Sequence, residues 1–355
     1  MVRGDGGIII ERVFVSIRQR PIKKQQLVPA GLLLFRDNIL SKGNIFGTNS
    51  KARWAKGLEL PAQAETIFFA GCGYQFLEEA EAILSAVRIL DKHNLPWERT
   101  FGATQFLNKR GINLGDLYGT IIRRFRREDI PLLSAVEVLR RMDMDIGYLA
   151  EEEPCCAAPL YYAGFQEEFA AQAEKTQAIL KKRGITKIIG MVPSCTFALR
   201  TLFPRGSKGG QMEVSHFLEI VWEKIKKGMR FRLPHQVIVT YHDPCILSRY
   251  LCLAEEPRQI LRSIEGVVFN DVERCKEEWS TCCGGGGGFE VIFPEISHTI
   301  AANRVEELLK TGASTIVTSC PGCLIQLREG VKKLKAKEVK VMDMAQLLHS
   351  ALPEG

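Results

Sequence analysis

The residues of this sequence that can do chemistry as a set are its eleven cysteines, at 72, 155, 156, 195, 245, 252, 275, 282, 283, 320 and 323 of 355 residues. Four of them form two vicinal pairs, Cys155–Cys156 and Cys282–Cys283. Adjacent cysteines rarely close a relaxed disulfide on each other, because their side chains diverge. An odd count, with no export signal ahead of it, argues against a disulfide framework and for thiols that bind metal or exchange electrons. The C-terminal run is Cys245-x36-Cys282-Cys283-x36-Cys320-x2-Cys323. That is five thiols, where a structural zinc site uses four. The C-x₂-C-x₂-C-x₃-C-P run of cubane-binding ferredoxins is absent. The count fits a larger iron–sulfur assembly with extra or bridging thiolates; the plain alternative is a set of buried apolar cysteines.

An internal repeat organises these positions. EPCCAAPLYYAG (153–164) precedes STCCGGGGGFEV (280–291) by 127 residues, Cys195 precedes Cys320 by 125, and Val214 in EVSHFLEIVWE precedes Val341 in VKVMDMAQLLHS by 127. Matched features at near-constant offset indicate a duplicated domain. Cys72 and Cys245 are 173 apart, so the first copy carries about 46 extra residues, placed near 95–140. Apolar runs of strand length end at cysteines in ETIFFAGC, TKIIGMVPSC, QVIVTYHDPC and STIVTSC. Helical patterns lie between them, in FLEEAEAILSAVRILDKH, FQEEFAAQAEKTQAILKKRG and ISHTIAANRVEELLKTG.

Strand–helix alternation predicts α/β architecture: two pseudo-repeated α/β domains with parallel sheets, behind an N-terminal extension. The expected bounds are 1–64 for the extension, 65–235 for the first domain and 236–355 for the second. Cysteines at several strand ends then converge at the carboxyl edge of a sheet, where ligands of such folds bind. Arg36–Gly57 reads as an irregular, turn-rich arm.

The residues carry a resemblance. HDPC, CCGGGGG and SCPGC, with the complete spacing of the second copy, resemble the CCG-domain family. That family includes the B and D subunits of heterodisulfide reductase and iron–sulfur subunits of related oxidoreductases. The resemblance spans residues 65 to 349 and implies a noncubane [4Fe–4S] cluster on Cys245, Cys282, Cys283, Cys320 and Cys323. In heterodisulfide reductases such clusters cleave disulfides in successive one-electron steps. The first copy departs from the pattern. It has Cys72, Cys155, Cys156 and Cys195, but Ala198 replaces the last cysteine and Ala157 the usual glycine. Four thiolates there fit a second iron–sulfur cluster or zinc, a noncubane cluster with a substituted ligand, or an empty site.

Other residues have competing readings. Gly284, Gly285 and Gly286 open a five-glycine stretch that lets backbone N–H groups approach an anion such as a thiolate-ligated cluster. No Gly-Lys-Ser/Thr follows, which excludes a phosphate loop. His242 precedes Cys245 and reads either as a proton donor for disulfide reduction or as a strand-end hydrogen bonder. His216 aligns with Asp343 and reads as structural. Cys252 and Cys275 read as packing cysteines. Arg123, Arg124, Arg126 and Arg127 read as a solvated helix face or a docking patch, and Arg53, Trp54 and Lys56 as a partner anchor.

Net charge of +7 is mild and does not call for nucleic acid. No apolar run approaches the ~20 residues that cross a bilayer. The reading is a cytoplasmic protein, with peripheral association at the inner membrane face as an extension of it. Three functions compete: a heterodisulfide-reductase-like subunit acting on a disulfide or related sulfur substrate, a non-catalytic electron-transfer subunit, and a zinc-stabilised scaffold. Without cubane or flavin motifs of its own, the chain is expected to take electrons from a ferredoxin-like subunit carrying cubane clusters, with a flavoprotein or membrane cytochrome as further partner.

Overall fold

Four apolar runs that end at cysteines become parallel strands in the computed structural model, which describes residues 28–49, 51–93, 131–203 and 212–353. The first copy begins with helix α1 (Ala30–Lys42), β1 (Thr66–Phe69), α2 (Cys72–Gln75) and α3 (Leu77–Lys92). It continues with α4 (Pro131–Arg141), α5 (Ala158–Tyr162), α6 (Gln166–Lys182) and β2 (Lys187–Gly190), then α7 (Pro193–Phe197), β3 (Glu213–His216) and α8 (Phe217–Lys226). The second copy has β4 (Phe231–Tyr241), α9 (Glu255–Ser263), β5 (Ile264–Phe269), α10 (Phe289–Ile292) and α11 (Pro294–Leu309). It closes with β6 (Thr315–Thr318), α12 (Pro321–Leu334), β7 (Lys340–Asp343) and α13 (Met344–Ser350).

Two all-parallel sheets result, in the orders β1-β2-β3 and β5-β4-β6-β7. Three strands correspond directly, β1 to β4, β2 to β6 and β3 to β7. A single parallel bridge from Ile67 to Gly147 stands beside β1 where β5 stands beside β4. Parallel strands buried on both faces need apolar side chains throughout. Ile67, Phe68, Phe69, Ile188 and Ile189 in one sheet, and Val239, Tyr241 and Val317 in the other, accordingly join one continuous core.

The aligned pair His216 and Asp343 occupy equivalent caps. Each precedes a helix, accepts an N–H from its first turn, and is paired with a reciprocal side chain, Glu219 or Gln346. The two copies also exchange helix contacts. α8 of the first packs on α9 of the second, while α13 of the second packs on α4 of the first.

Three expectations need correction. Arg36–Lys42 is helical rather than irregular, as the end of α1, which stops at Gly43 in the left-handed conformation (φ 66°). Trp54 is no free anchor: it is buried, its Nε1 donates to the Tyr148 hydroxyl at 3.0 Å, and its ring packs on Phe68. A boundary at 235/236 cuts through β4, which starts at Phe231 and absorbs Pro234, a residue with no N–H to give, in a register shift between Arg232 and Val237. Of the 95–140 window, α4 is described, and it precedes the Gly147 bridge as α9 precedes β5. The arginines at 123, 124, 126 and 127 lie outside the described residues.

Candidate metal centre

In the second copy Cys245 follows β4, Cys320 caps α12 and Cys323 sits in its first turn, while Cys282 and Cys283 lie on the loop that enters α10. Cys283 and Cys323 are buried, Cys245 and Cys320 partly so, and Cys282 is exposed. A ring nitrogen of His242 and the sulfurs of Cys283 and Cys323 all lie within 4.8 Å of one another. All eleven cysteines are free thiols.

The electrostatics of these thiols call for a cation. Burial, then the neighbouring Cys283 and Cys320, pushes the Cys245 thiol up to about 11. Hydrogen bonds from Cys282, Cys323 and His242 draw Cys283 below the usual thiol range, and Cys282 and Cys323 are raised in turn by their contact with it. One thiolate is accommodated and further ones are opposed. A soft cationic group resolves that conflict, because it deprotonates every thiol it binds. The donor set therefore fits an iron–sulfur cluster.

The first copy repeats the arrangement with one thiol fewer. Cys155, Cys156 and Cys195 are buried, Cys156 Sγ lies 3.0 Å from Cys195 Sγ, and Cys72 opens α2. Burial and then Cys155 push Cys72 up to about 12. Cys195 gains a hydrogen bond from Cys156 that lowers it, yet burial and its charged neighbours carry it up to about 11. Gly71 (φ 69°) is needed here, since a Cβ on it meets Val192 at 2.8 Å and the Cys195 sulfur at 3.0 Å. Glu153, which carries no signal in the sequence, accepts the N–H groups of Ala70 and Gly71 at 2.8 and 3.0 Å, and burial raises it to about 7 despite them.

Both vicinal pairs make the same turn. The Gly284 N–H donates to Cys282 Sγ at 3.3 Å with φ 91°, and the Ala157 N–H donates to Cys155 Sγ at 3.4 Å with φ 58°. Ala157 thus holds a left-handed conformation that favours glycine. Ala198 is fully buried three residues after Cys195, as Cys323 follows Cys320.

The glycine stretch is tied down by residues with no sequence signal. Ser297 donates to the Gly284 carbonyl at 2.7 Å and to Gln326 at 3.1 Å, and a Cβ on Gly285 meets the Gln326 side chain at 2.8 Å. The Gly286 N–H is engaged by Glu290 at 2.8 Å. Only Gly284 therefore directs an N–H at a cysteine sulfur among the hydrogen bonds described for this stretch. Beside His242, Asp243 forms a bidentate pair with buried Arg258 at 2.7 and 2.8 Å and accepts the Glu277 N–H at 2.9 Å, which anchors the loop ahead of the vicinal pair. Cys252 and Cys275 are not packing cysteines. Both are exposed, at φ 57° and 53°, where a tight turn turns the side chain outward.

Both sets open on one cavity of about 920 Å³. Cys72, Cys156 and Cys195 of the first copy and Cys245, Cys283, Cys320 and Cys323 of the second line it, together with Gly285 to Gly288. Its remaining wall is largely apolar: Leu32, Phe35 and Ile39 of α1, and Ile83, Leu84, Val87 and Leu90 of α3.

The CCG cysteine-rich domain matches residues 122–200 and 239–328. Among characterised proteins, the chain is 33% identical over 221 residues to the D subunit of the dihydromethanophenazine:CoB–CoM heterodisulfide reductase of Methanosarcina acetivorans, covering 61% of this chain and 53% of that one. It is 32% identical over 226 residues to the EtfAB:quinone oxidoreductase of Syntrophomonas wolfei, covering 61% and 31%. It is 29% identical over 242 residues to the B subunit of the fumarate reductase (CoM/CoB) of Methanothermobacter marburgensis, covering 68% and 47%. The chain thus spans about half or less of the length of these relatives. No helix among the described residues is long and apolar enough to cross a membrane. The match falls twice, each time over a vicinal cysteine pair on the same turn, so the chain carries two segments similar to the CCG cysteine-rich domain.

Proposed function

We propose that this chain is a heterodisulfide-reductase-like subunit of a redox complex, holding a noncubane [4Fe–4S] cluster on Cys245, Cys282, Cys283, Cys320 and Cys323. A second centre, an iron–sulfur cluster or zinc, is held by Cys72, Cys155, Cys156 and Cys195. The observation that carries the reading is the single cavity onto which thiols of both copies open. When bound, such a cluster supplies electrons singly and an iron that takes sulfur. The chain's own residues do the rest. The Gly284 N–H steadies Cys282, the Asp243–Arg258 pair fixes the loop before the vicinal pair, and the apolar walls from α1 and α3 exclude water from a sulfur substrate. Reducing a disulfide to two thiols takes two electrons and two protons. With no cubane-type cysteine run in this sequence, the electrons come from a ferredoxin-like partner or an adjoining domain, fed by a flavoprotein or membrane cytochrome.

A second reading, electron transfer without a substrate, is supported by the resemblance to an EtfAB:quinone oxidoreductase and by the four-thiol first site. Anaerobically purified protein is expected to hold about four iron and about four sulfide per occupied cluster. Cys283→Ala should lose a cluster and Cys252→Ala none; zinc alone would end both redox readings. The two readings part when disulfides are offered to the reduced protein together with its donor. A substrate-dependent EPR change at the five-cysteine site favours catalysis. Electron flow to an acceptor without that change favours transfer.

A further inference from the structure

Arg304 of α11 is completely buried, and its position is unusual for a guanidinium. Its Nε donates to Nδ1 of His242 at 3.1 Å, and its Nη1 donates to the Cys275 carbonyl at 3.1 Å and the Glu307 carboxylate at 2.6 Å. A guanidinium only donates and keeps its protons in proteins. The lone pair of Nδ1 is therefore taken, and the single proton of the ring sits on Nε2. An imidazolium would set one N–H against another.

The same contact rules on a ligand role for His242. A histidine that ligates metal through Nε2 carries its proton on Nδ1 and gives it to an acceptor; here Nδ1 faces a donor. What remains is an Nε2–H on a ring that has a nitrogen within 4.8 Å of the sulfurs of Cys283 and Cys323.

We propose that Arg304 is a positioning residue that locks His242 as the Nε2–H tautomer, so that His242 donates a hydrogen bond to the Cys283–Cys323 sulfur pair and raises the reduction potential of the group they hold. The consequence for potential rests on the cluster reading above; the tautomer does not. Hydrogen bonds to cluster sulfurs raise potential by stabilising the more negative, reduced form.

The test uses the holoprotein labelled with ¹⁵N-histidine, in H₂O and D₂O. Pulsed ENDOR on the paramagnetic cluster should show an exchangeable proton coupling that disappears in His242→Phe, and a nitrogen coupling too weak for a ligand. In Arg304→Met the proton coupling should weaken and the midpoint potential shift negative, with iron content unchanged. A ligand-sized nitrogen coupling in the wild type overturns the proposal, as does an unaltered coupling and potential in an iron-replete Arg304→Met. Should that variant fail to fold, the wild-type couplings still decide. Wild-type protein without iron tells against the cluster reading alone; imidazole ¹⁵N NMR then reads the tautomer directly, and a protonated Nδ1 overturns the proposal.

Discussion

The hydroxyl of Tyr74, two residues beyond Cys72 in the first copy, donates a hydrogen bond to Asp343, the helix cap of the second. Both side chains are buried, and burial, then Asp343 and the nearby Cys320 and Cys323, raises the tyrosine well above its usual range. Burial lifts Asp343 to about 6, against the lowering pull of Tyr74 and the Ala345 N–H. Tyr74→Phe leaves that carboxyl short of a donor. The expected cost is about 1–3 kcal/mol, the range for an orphaned buried polar group. An unchanged urea midpoint would show that this bond adds nothing between the copies.

Gly284 and Gly287 differ in what surrounds them. A Cβ on Gly284 comes within 2.3 Å of the Ser297 carbonyl oxygen at φ 91°, whereas one on Gly287, at φ 65°, meets nothing nearer than 3.9 Å. Gly287→Ala should cost about 1–2 kcal/mol, the left-handed penalty alone. Gly284→Ala must also displace backbone, and should cost more and lose iron. Equal iron content and equal thermal midpoints in the two variants would refute this ranking.

His216 gives the fold an acid sensitivity of defined sign. Burial, then the nearby Arg200, lowers it to about 3, while the Met191 carbonyl pulls the other way. The folded value lies below the unfolded value of ~6.5, so its contribution is complete above pH ~6.5 and is lost as pH falls toward 3. Between pH 7 and 5 the loss should be about 2 kcal/mol. His216→Asn keeps a capping side chain and should flatten the dependence. Parallel stability profiles for variant and wild type over that interval would rule it out.

Ala198→Cys places a thiol three residues after Cys195, the separation of Cys320 and Cys323 and one that puts both on the same helical face. The variant is expected to change the spectrum of the first centre and leave the second as it was. No change means the first site binds no metal, or that residue 198 does not reach it.

Much of this was legible in the chain. TIFF, KIIG and TIVT were readable as strands because short apolar runs flanked by polar residues have few other uses, and their cysteines follow within a few residues. Helix α1 was not, although Pro29 and Gly43 bracket it. Its apolar residues are spread around the axis, with Leu32, Leu34, Phe35 and Ile39 lining the cavity and Leu40 exposed, so it lacks a one-sided stripe. The Arg304–His242 contact spans 62 positions and has no periodic signature at all.

The crossed pairing of α8 with α9 and of α13 with α4 is the geometry of an isologous two-fold dimer in which a linker joins the two chains. In a true homodimer a substitution enters both sites together, so neither can change its ligands without the other. Fusion removes that tie while keeping the shared interface. One half can then retain five cysteines while the other, on the same scaffold, dispenses with one and tolerates an alanine at a glycine's angle.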